Sequence, residues 1–330
     1  MDPVTHIASG LLAGRLLQDR FPTAGRALAF GVLGAWLPDI DSFIGLGPEA
    51  YLRDHRAFTH SLLGGVALAL GLALAFRPLA RQVEFRRLAL WGYGLVLLHV
   101  FLDLCTTYGT QVFWPFSDAR LFLPALFIID PLFTLPLLAL IALTFFWKDR
   151  RRTLAGLGLF LCLAYPLANL GVRATVLAGV ELRLAEAKVA YRDISLIPDP
   201  FTPIYWKAVV DAGDTLAVAS VPALLPRKIP LTAYPKADPT LLARLGEQAP
   251  IFRTWDWFAL FPVQQDIAGA TGREVTFQDL RFVFTSPLAQ RILPRSHTPF
   301  TLRALLDPEG RLAEYTFSGA NGDSVGRLRD

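Results

Sequence analysis

Charge and sulfur are both scarce in this chain. Of its 330 residues only 18% are charged against 53% hydrophobic, and mean hydropathy is +0.41. Soluble domains carry about 25% charged residues, so an ordinary soluble protein is excluded and a membrane protein indicated. The two cysteines, Cys105 and Cys162, both sit in apolar stretches. They exclude a disulfide framework and a thiolate metal motif. The net charge of +4 is spread through short clusters, which excludes a nucleic-acid-binding patch. The opening Met1-Asp2-Pro3 lacks the basic residues of a secretory leader, so no cleavable signal peptide is expected. No internal repeat or low-complexity tract is visible.

Long apolar runs are what the chain does have. Hydropathy predicts five or six membrane helices, at 3–17, 24–37, 60–76, 88–104, 131–147 and 154–177. The first two are short for a full span and could be tilted or re-entrant. Asp-Pro opens two of the runs, at Asp2-Pro3 and Asp130-Pro131, the signature of an N-cap followed by Pro at the first helical position. Residues 171–192 read as a helix continuing outward as an amphipathic stalk. Beyond Pro198 the sequence becomes proline-rich and alternating. Strands are expected at 205–210, 215–221, 275–284, 300–306 and 311–317, with hairpin turns at 211–214 and 307–310. The expected architecture is thus a membrane α-helical bundle of five to six transmembrane or re-entrant helices with a C-terminal extracytoplasmic β-rich domain. Its parts are a membrane domain at 1–177, a stalk at 178–197 and the β-rich domain at 198–330. Trp206, Trp255 and Trp257 of the last part fit core packing better than a face over the site or a lipid interface.

Basic residues collect at three connections: Arg15, Arg20 and Arg26; Arg77, Arg81, Arg86 and Arg87; Lys148, Arg150, Arg151 and Arg152. The positive-inside rule assigns all three to the cytoplasm. Threading the helices accordingly sends His6, Asp39, Asp41, His55, His60, His99, Asp103 and Asp130 to the opposite, outer end. Charge bias alone sets that topology, yet every candidate ligand lands on one side.

Four of the five histidines fall in the first hundred residues, interleaved with carboxylates; the fifth is His297. Such groups are costly in an apolar setting, and a divalent metal is the simplest partner for them. His99 and Asp103 are four apart in a helical stretch, hence on one face. That spacing suits two ligands of one metal, or a carboxylate orienting an imidazole, and equally a plain buried His–Asp pair. Asp39-Ile40-Asp41 follows Leu37-Pro38, where the preceding helix should end. It could supply a ligand and a general base, or simply a solvated loop. His55 and His60 flank Arg56 in HRAFTH. A loop-to-helix junction there could turn both imidazoles inward, while Arg56 suits an anionic substrate or transition state. Thr59 reads as an N-cap and Ser61 as a packing residue. A lone His6 is ordinarily structural, but the topology groups it with the others. Tyr108, Trp114 and Pro115 suit an interfacial wall, and Asn169 with Arg173 suits helix packing or snorkelling.

Several of these pieces recur in order in one family. His6, LPDID at 37–41, HRAFTHS at 55–61 and HVFLDLCTTYG at 99–109 followed by WPF at 114–116 resemble the YdjM-like (DUF457) family of bacterial inner-membrane, metal-dependent hydrolases. The resemblance covers roughly the first 135 residues. The order His, Asp, His, His-x-x-x-Asp is also similar to the zinc-dependent phospholipase C and P1 nuclease superfamily. That similarity implies a helical metal site hydrolysing phosphoesters, with His6, Asp41, His60, His99 and Asp103 as ligands and His55 and Asp39 as further members.

The expected function is therefore a hydrolase of the bacterial inner membrane holding one or two divalent ions, zinc in the first instance. Its expected substrate is a lipid or lipid-linked phosphate. His6, Asp41, His55, His60, His99 and Asp103 are the expected ligands, and Asp39, Asp41 and Arg56 the expected catalytic groups. Two rivals stand beside it: a non-enzymatic protein using the cluster for metal or proton transport, and a regulatory protein with a structural metal.

Overall fold

Polar caps set ahead of apolar runs start most of the helices in a computed structural model of the chain, which describes residues 1–43, 47–224, 228–269, 272–292, 298–319 and 322–327. The helices are α1 (Pro3–Leu17), α2 (Ala24–Trp36), α3 (Pro48–Asp54), α4 (Leu62–Phe76), α5 (Phe85–Leu104), α6 (Pro131–Phe146) and α7 (Arg151–Glu186). The Asp2 side chain accepts from the Thr5 amide to cap α1, and Thr23 caps α2 through the Arg26 amide. Ser61 and Asp130 do the same for α4 and α6, through Gly64 and Leu132.

Two compact units emerge. The first comprises Met1–Ile44, Arg56–Ala174 and Pro200–Pro203; the second comprises Gly45–His55, Thr175–Asp199 and Ile204–Asp330. In the first unit, Leu12, Leu102, Phe133 and Leu137 form one buried cluster, and Phe30, Phe76, Leu88 and Leu95 form another. Helices α1 and α2 cross closely. Gly10 and Gly14, one small residue per turn, let the backbones approach, and a Cβ on Gly10 would strike the Gly31 carbonyl. That crossing sets α1, which carries His6, against α2, whose end leads into Asp39.

Among the described residues, α5 and the segment Lys148–Glu186 are long and apolar enough to cross a bilayer. The broken pair Pro48–His60 and Leu62–Phe76 makes a third if read as one span. Helices α1, α2 and α6, with 15, 13 and 16 residues, fall short of the ~20 that a span requires.

The second unit is β-rich. Strands β1 (Asp193–Pro198), β2 (Tyr205–Asp211), β3 (Thr215–Pro222) and β4 (Thr232–Pro235) form an antiparallel sheet in chain order. After α8 (Pro239–Gln248) and α9 (Ile251–Phe258) come β5 (Pro262–Gly269), β6 (Gly272–Asp279), α10 (Pro287–Ile292), β7 (Thr301–Leu306), β8 (Leu312–Gly319) and β9 (Gly322–Arg327). These five strands make a second antiparallel meander. The 211–214 turn joins β2 to β3, with Gly213 at φ 98°, a conformation that favours glycine. The strand expected at 275–284 instead ends at Asp279, whose carboxylate accepts from the amides of Leu260, Phe261 and Arg281 and draws the chain out of the ladder. Trp206 and Trp255 are fully buried, the latter donating to the Phe300 carbonyl at 2.7 Å, whereas Trp257 is partly exposed.

Candidate metal centre

Three local structures bring four side chains together in the first unit. Pro38 closes α2, and the chain passes into a 3-10 turn, Leu37–Phe43, that carries Asp39 and Asp41. A second 3-10 turn, Phe58–His60, precedes α4. Its tightness depends on Gly64, where a Cβ would overlap the Phe58 carbonyl oxygen. The third is the last part of α5, where His99 and Asp103 share one face at the i, i+4 spacing.

His60 Nε2, His99 Nε2, Asp39 Oδ1 and Asp103 Oδ2 converge within 4.8 Å of one another. His60 Nε2 lies 3.1 Å from His99 Nε2 and 3.0 Å from Asp103 Oδ2. His99 Nε2 lies 3.4 Å from Asp103 Oδ2 and 3.5 Å from Asp39 Oδ1, which is 3.6 Å from His60 Nε2. Donors at ~2.0–2.1 Å around a tetrahedral ion stand about 3.3 Å apart. The five distances bracket that edge.

The surrounding hydrogen bonds fix which ring nitrogens carry protons. His99 Nδ1 lies 2.7 Å from the Ala35 carbonyl oxygen. A carbonyl only accepts, so Nδ1 holds a proton and Nε2 is the nitrogen free to act as a metal ligand when the ring is neutral. Ala35 belongs to the last turn of α2, whose carbonyls lack helical partners. For His60 the relay is longer. Thr59 Oγ1 donates to Asp41 Oδ2 at 2.9 Å and therefore accepts from His60 Nδ1, also at 2.9 Å. That leaves His60 Nε2 as the nitrogen turned toward His99 and Asp103. Asp103 Oδ2 has no hydrogen-bond partner among the described residues, although the residue is fully buried. With both rings neutral, two facing imidazole lone pairs and two carboxylate oxygens in a buried setting would repel one another, and a cation among them removes that repulsion. The donor set and its spacing fit a metal ion.

Arg56 braces this group. Its backbone sits at φ 64°, the left-handed region, held by its N–H donating to Asp41 Oδ2 at 3.1 Å and its carbonyl accepting from Gln111 N at 2.9 Å. The guanidinium donates to Thr106 Oγ1 at 3.1 Å, pairs with Asp103 Oδ1 at 2.9 Å and lies over the Tyr108 ring. The Met1 amino group also meets Asp103 Oδ1. Arg56 Nε is buried without a partner among the described residues.

The remaining expected residues take other places. His6 stacks on His99 with ring centroids 3.6 Å apart, its Nε2 3.4 Å from Asp103 Oδ1. Neither of its ring nitrogens has a hydrogen-bond partner among the described residues. Asp41 faces the Nδ1 side of His60, at 3.5 Å, rather than the Nε2 side. His55 stacks on Tyr51 within the second unit. His297 lies outside the described residues. Asp130 is buried at the start of α6, one oxygen accepting from the Leu132 amide and the other unpartnered among the described residues. Burial, opposed by the Leu132 and Phe133 amides and reinforced by the Asp2 carboxylate, pushes its carboxyl up to about 7. Asn169 donates to the Ala125 carbonyl at 3.0 Å, a packing role. Thr59 as a relay and the Ala35 carbonyl are contributions that sequence reasoning missed. The break at Pro38 was the available signal for the second, since a terminated helix leaves carbonyls open.

Comparison with known proteins agrees with the N-terminal location of this group. The Bacillus subtilis (strain 168) protein described as Uncharacterized protein YfhP is 34% identical over 150 residues, covering 43% of this chain and 46% of that protein. The chain thus matches about half the length of that curated relative. No solved structure matches it significantly. The family described as YdjM inner membrane protein matches residues 1–177, which include every residue of the quartet, and the chain belongs to that family.

Proposed function

We propose that this chain is a metal-dependent hydrolase of the inner membrane, cleaving a phosphoester in a lipid or lipid-linked substrate. The observation that carries the proposal is the quartet: two imidazole nitrogens and two carboxylate oxygens, with five of their separations between 3.0 and 3.6 Å. Two nitrogen and two oxygen donors in that geometry suit zinc. A bound ion of this kind supplies Lewis-acid polarisation and lowers the pKa of a water molecule.

The chain's own residues are assigned as follows. Asp39, His60, His99 and Asp103 hold the ion. Arg56 pins Asp103 Oδ1 and so turns Oδ2 toward the quartet. Its unpartnered Nε–H is the donor left for a substrate phosphoryl oxygen. Asp41, through Thr59, positions His60. Asp39 is 13% exposed while the other three are fully buried, which makes it the carboxylate placed to take a proton from solvent-side chemistry. His6 flanks the ion site as a candidate for a second cation, and His55 is left outside it.

A lipid substrate is supported by what the same turns expose. Ile40 and Phe43 project from the turn that carries Asp39, and Phe58 projects from the turn that carries His60. Phe113 and Phe116, nine and twelve positions beyond the end of α5, are exposed as well. Apolar groups beside a charged centre suit a molecule with a phosphate head and an acyl or prenyl tail. The positive-inside bias adds a multi-pass topology with the quartet and the β-rich unit on the outer side.

One observation favours a second reading. Four protein donors close a tetrahedral shell, the habit of structural sites, whereas catalytic sites keep a position open. The protein would then be regulatory, its metal a brace. Metal analysis of the detergent-purified chain, run beside phosphodiester and phospholipid turnover, separates the two. Hydrolysis requires a stoichiometric ion and turnover, both lost in His60→Ala and Asp103→Ala. A retained ion with no turnover on either substrate class rejects the hydrolase and leaves the brace. Metal flux in proteoliposomes would instead indicate transport.

A further inference from the structure

A cavity of about 730 Å³ opens where α4 passes into α5, bordered by Leu74, Arg77, Arg81, Glu84 and Phe85. It belongs to the end of α5 remote from the quartet: Phe85 and His99 are fourteen positions apart on one helix, or about 21 Å of rise. Nothing in the proposed hydrolysis uses it.

Its charge is unbalanced. Glu84, the one acidic residue on its wall among the described residues, is paired with Arg87 at 3.4 Å. Arg77 and Arg81 are exposed and have no carboxylate partner among the described residues. Arg26 adds a third guanidinium to the same connection, donating to the Leu79 carbonyl at 2.8 Å. Leading away from the cavity, Leu63, Val66, Leu70 and Leu74 form an exposed apolar stripe along one face of α4. Eleven residues of helix rise about 16 Å, close to the ~15 Å hydrocarbon depth of one leaflet. Uncompensated guanidinium groups at the top of a leaflet-length apolar stripe describe a molecule with an anionic head and a hydrocarbon tail.

We infer that this cavity binds an anionic glycerophospholipid, its phosphate between Arg77 and Arg81 and one acyl chain along the α4 stripe. The site is separate from the metal centre and independent of whether that centre hydrolyses anything. A zwitterionic lipid brings a quaternary ammonium toward the same arginines and is disfavoured by like charge.

The test titrates the full chain in neutral detergent with short-chain phosphatidylglycerol, short-chain phosphatidylcholine and sn-glycerol 3-phosphate, reading bound lipid by native mass spectrometry. Phosphatidylglycerol should bind selectively. Each arginine removed should weaken it about fivefold, so Arg77→Gln with Arg81→Gln should lose roughly twenty-five-fold while the metal content is unchanged. Arg77→Lys with Arg81→Lys should retain most of the affinity, and Leu74→Glu should lose it with both arginines intact. Equal binding of the two lipids, or parental affinity in the double Gln variant, overturns the assignment. Glycerol phosphate binding as tightly as the lipid overturns it too, identifying a soluble-phosphate site instead.

Discussion

His60 Nε2 and His99 Nε2 face one another at 3.1 Å, while on the far sides of the rings Nδ1 meets Thr59 Oγ1 and the Ala35 carbonyl. Neutral rings in that position would set two lone pairs against one another beside two carboxylates, which a protein interior does not hold without compensation. The proposed metal ion supplies that compensation, and its removal should be visible as lost stability.

Chelation is the direct form of that test. An ion present at a hundred times its dissociation constant stabilises the folded state by about 2.7 kcal/mol. For a chain of this size the loss should lower the thermal midpoint by about 4 °C. Added zinc should restore it. His60→Ala and His99→Ala should start from the lower midpoint and show no response to chelator. A parental midpoint indifferent to chelator and metal alike would mean that the quartet is held by protons alone.

The Thr59–Asp41 relay makes a finer prediction. Neither residue belongs to the quartet, yet together they hold the proton on His60 Nδ1. Outer-shell partners of this kind alter metal affinity by about 10–100-fold. Thr59→Val and Asp41→Asn should each weaken binding by that factor in competition with a chromophoric chelator, while keeping a stoichiometric site at saturating metal. Complete loss of the ion in Asp41→Asn would instead make Asp41 a ligand.

How much of this was legible in the residues follows from how local each feature is. The Asp2-Pro3 and Asp130-Pro131 helix starts need only one turn of chain, and both caps are present. His99 and Asp103 required only a helical period. The choice between Asp39 and Asp41 could not be read that way, because it depends on how a 3-10 turn is rotated against two other elements. Nor could His55 be separated from His60. They are five residues apart, and the positive φ of Arg56 between them turns the chain. In the second unit, Asp238-Pro239 carries the same signal as the earlier Asp-Pro pairs and does cap α8. No long apolar run follows it to mark a helix there. β5 and β9, PVQQDIAG and GDSVGR, are too polar to show the alternation that marks β2, β3 and β7.

Two glycines of α4 give a matched pair of substitutions. A Cβ at Gly64 would overlap the Phe58 carbonyl oxygen, whereas a Cβ at Gly71 meets nothing within 4 Å. Gly64→Ala must shift the Phe58–His60 turn, and should lose metal and stability together. Gly71→Ala relieves the entropic cost of glycine in a helix, and should raise stability by about 0.5–1 kcal/mol with the ion retained. Thermal unfolding with metal content on the same samples reads both. Equal effects of the two substitutions would show that the turn does not position His60.

Asp130 predicts how stability depends on pH. It caps α6 through Leu132 N at 3.0 Å, its other oxygen is buried and unpartnered among the described residues, and its carboxyl is pushed up to about 7. Burial is the main cause, with the Asp2 carboxylate adding to it. The unfolded chain releases this proton near its ordinary value of 3.8. Between that value and about 7 the folded state binds more protons than the unfolded one. The contribution is therefore fully present below the unfolded value and is lost as pH rises through the folded one. Each unit is worth at most about 1.4 kcal/mol. Asp130→Asn keeps a side-chain oxygen for the Leu132 amide and removes the titration. Across a pH 5 to 8 series in detergent, the parent should lose several degrees of thermal midpoint that the variant keeps, with the two converging at the acid end. A variant that falls as steeply as the parent would place the titrating group elsewhere.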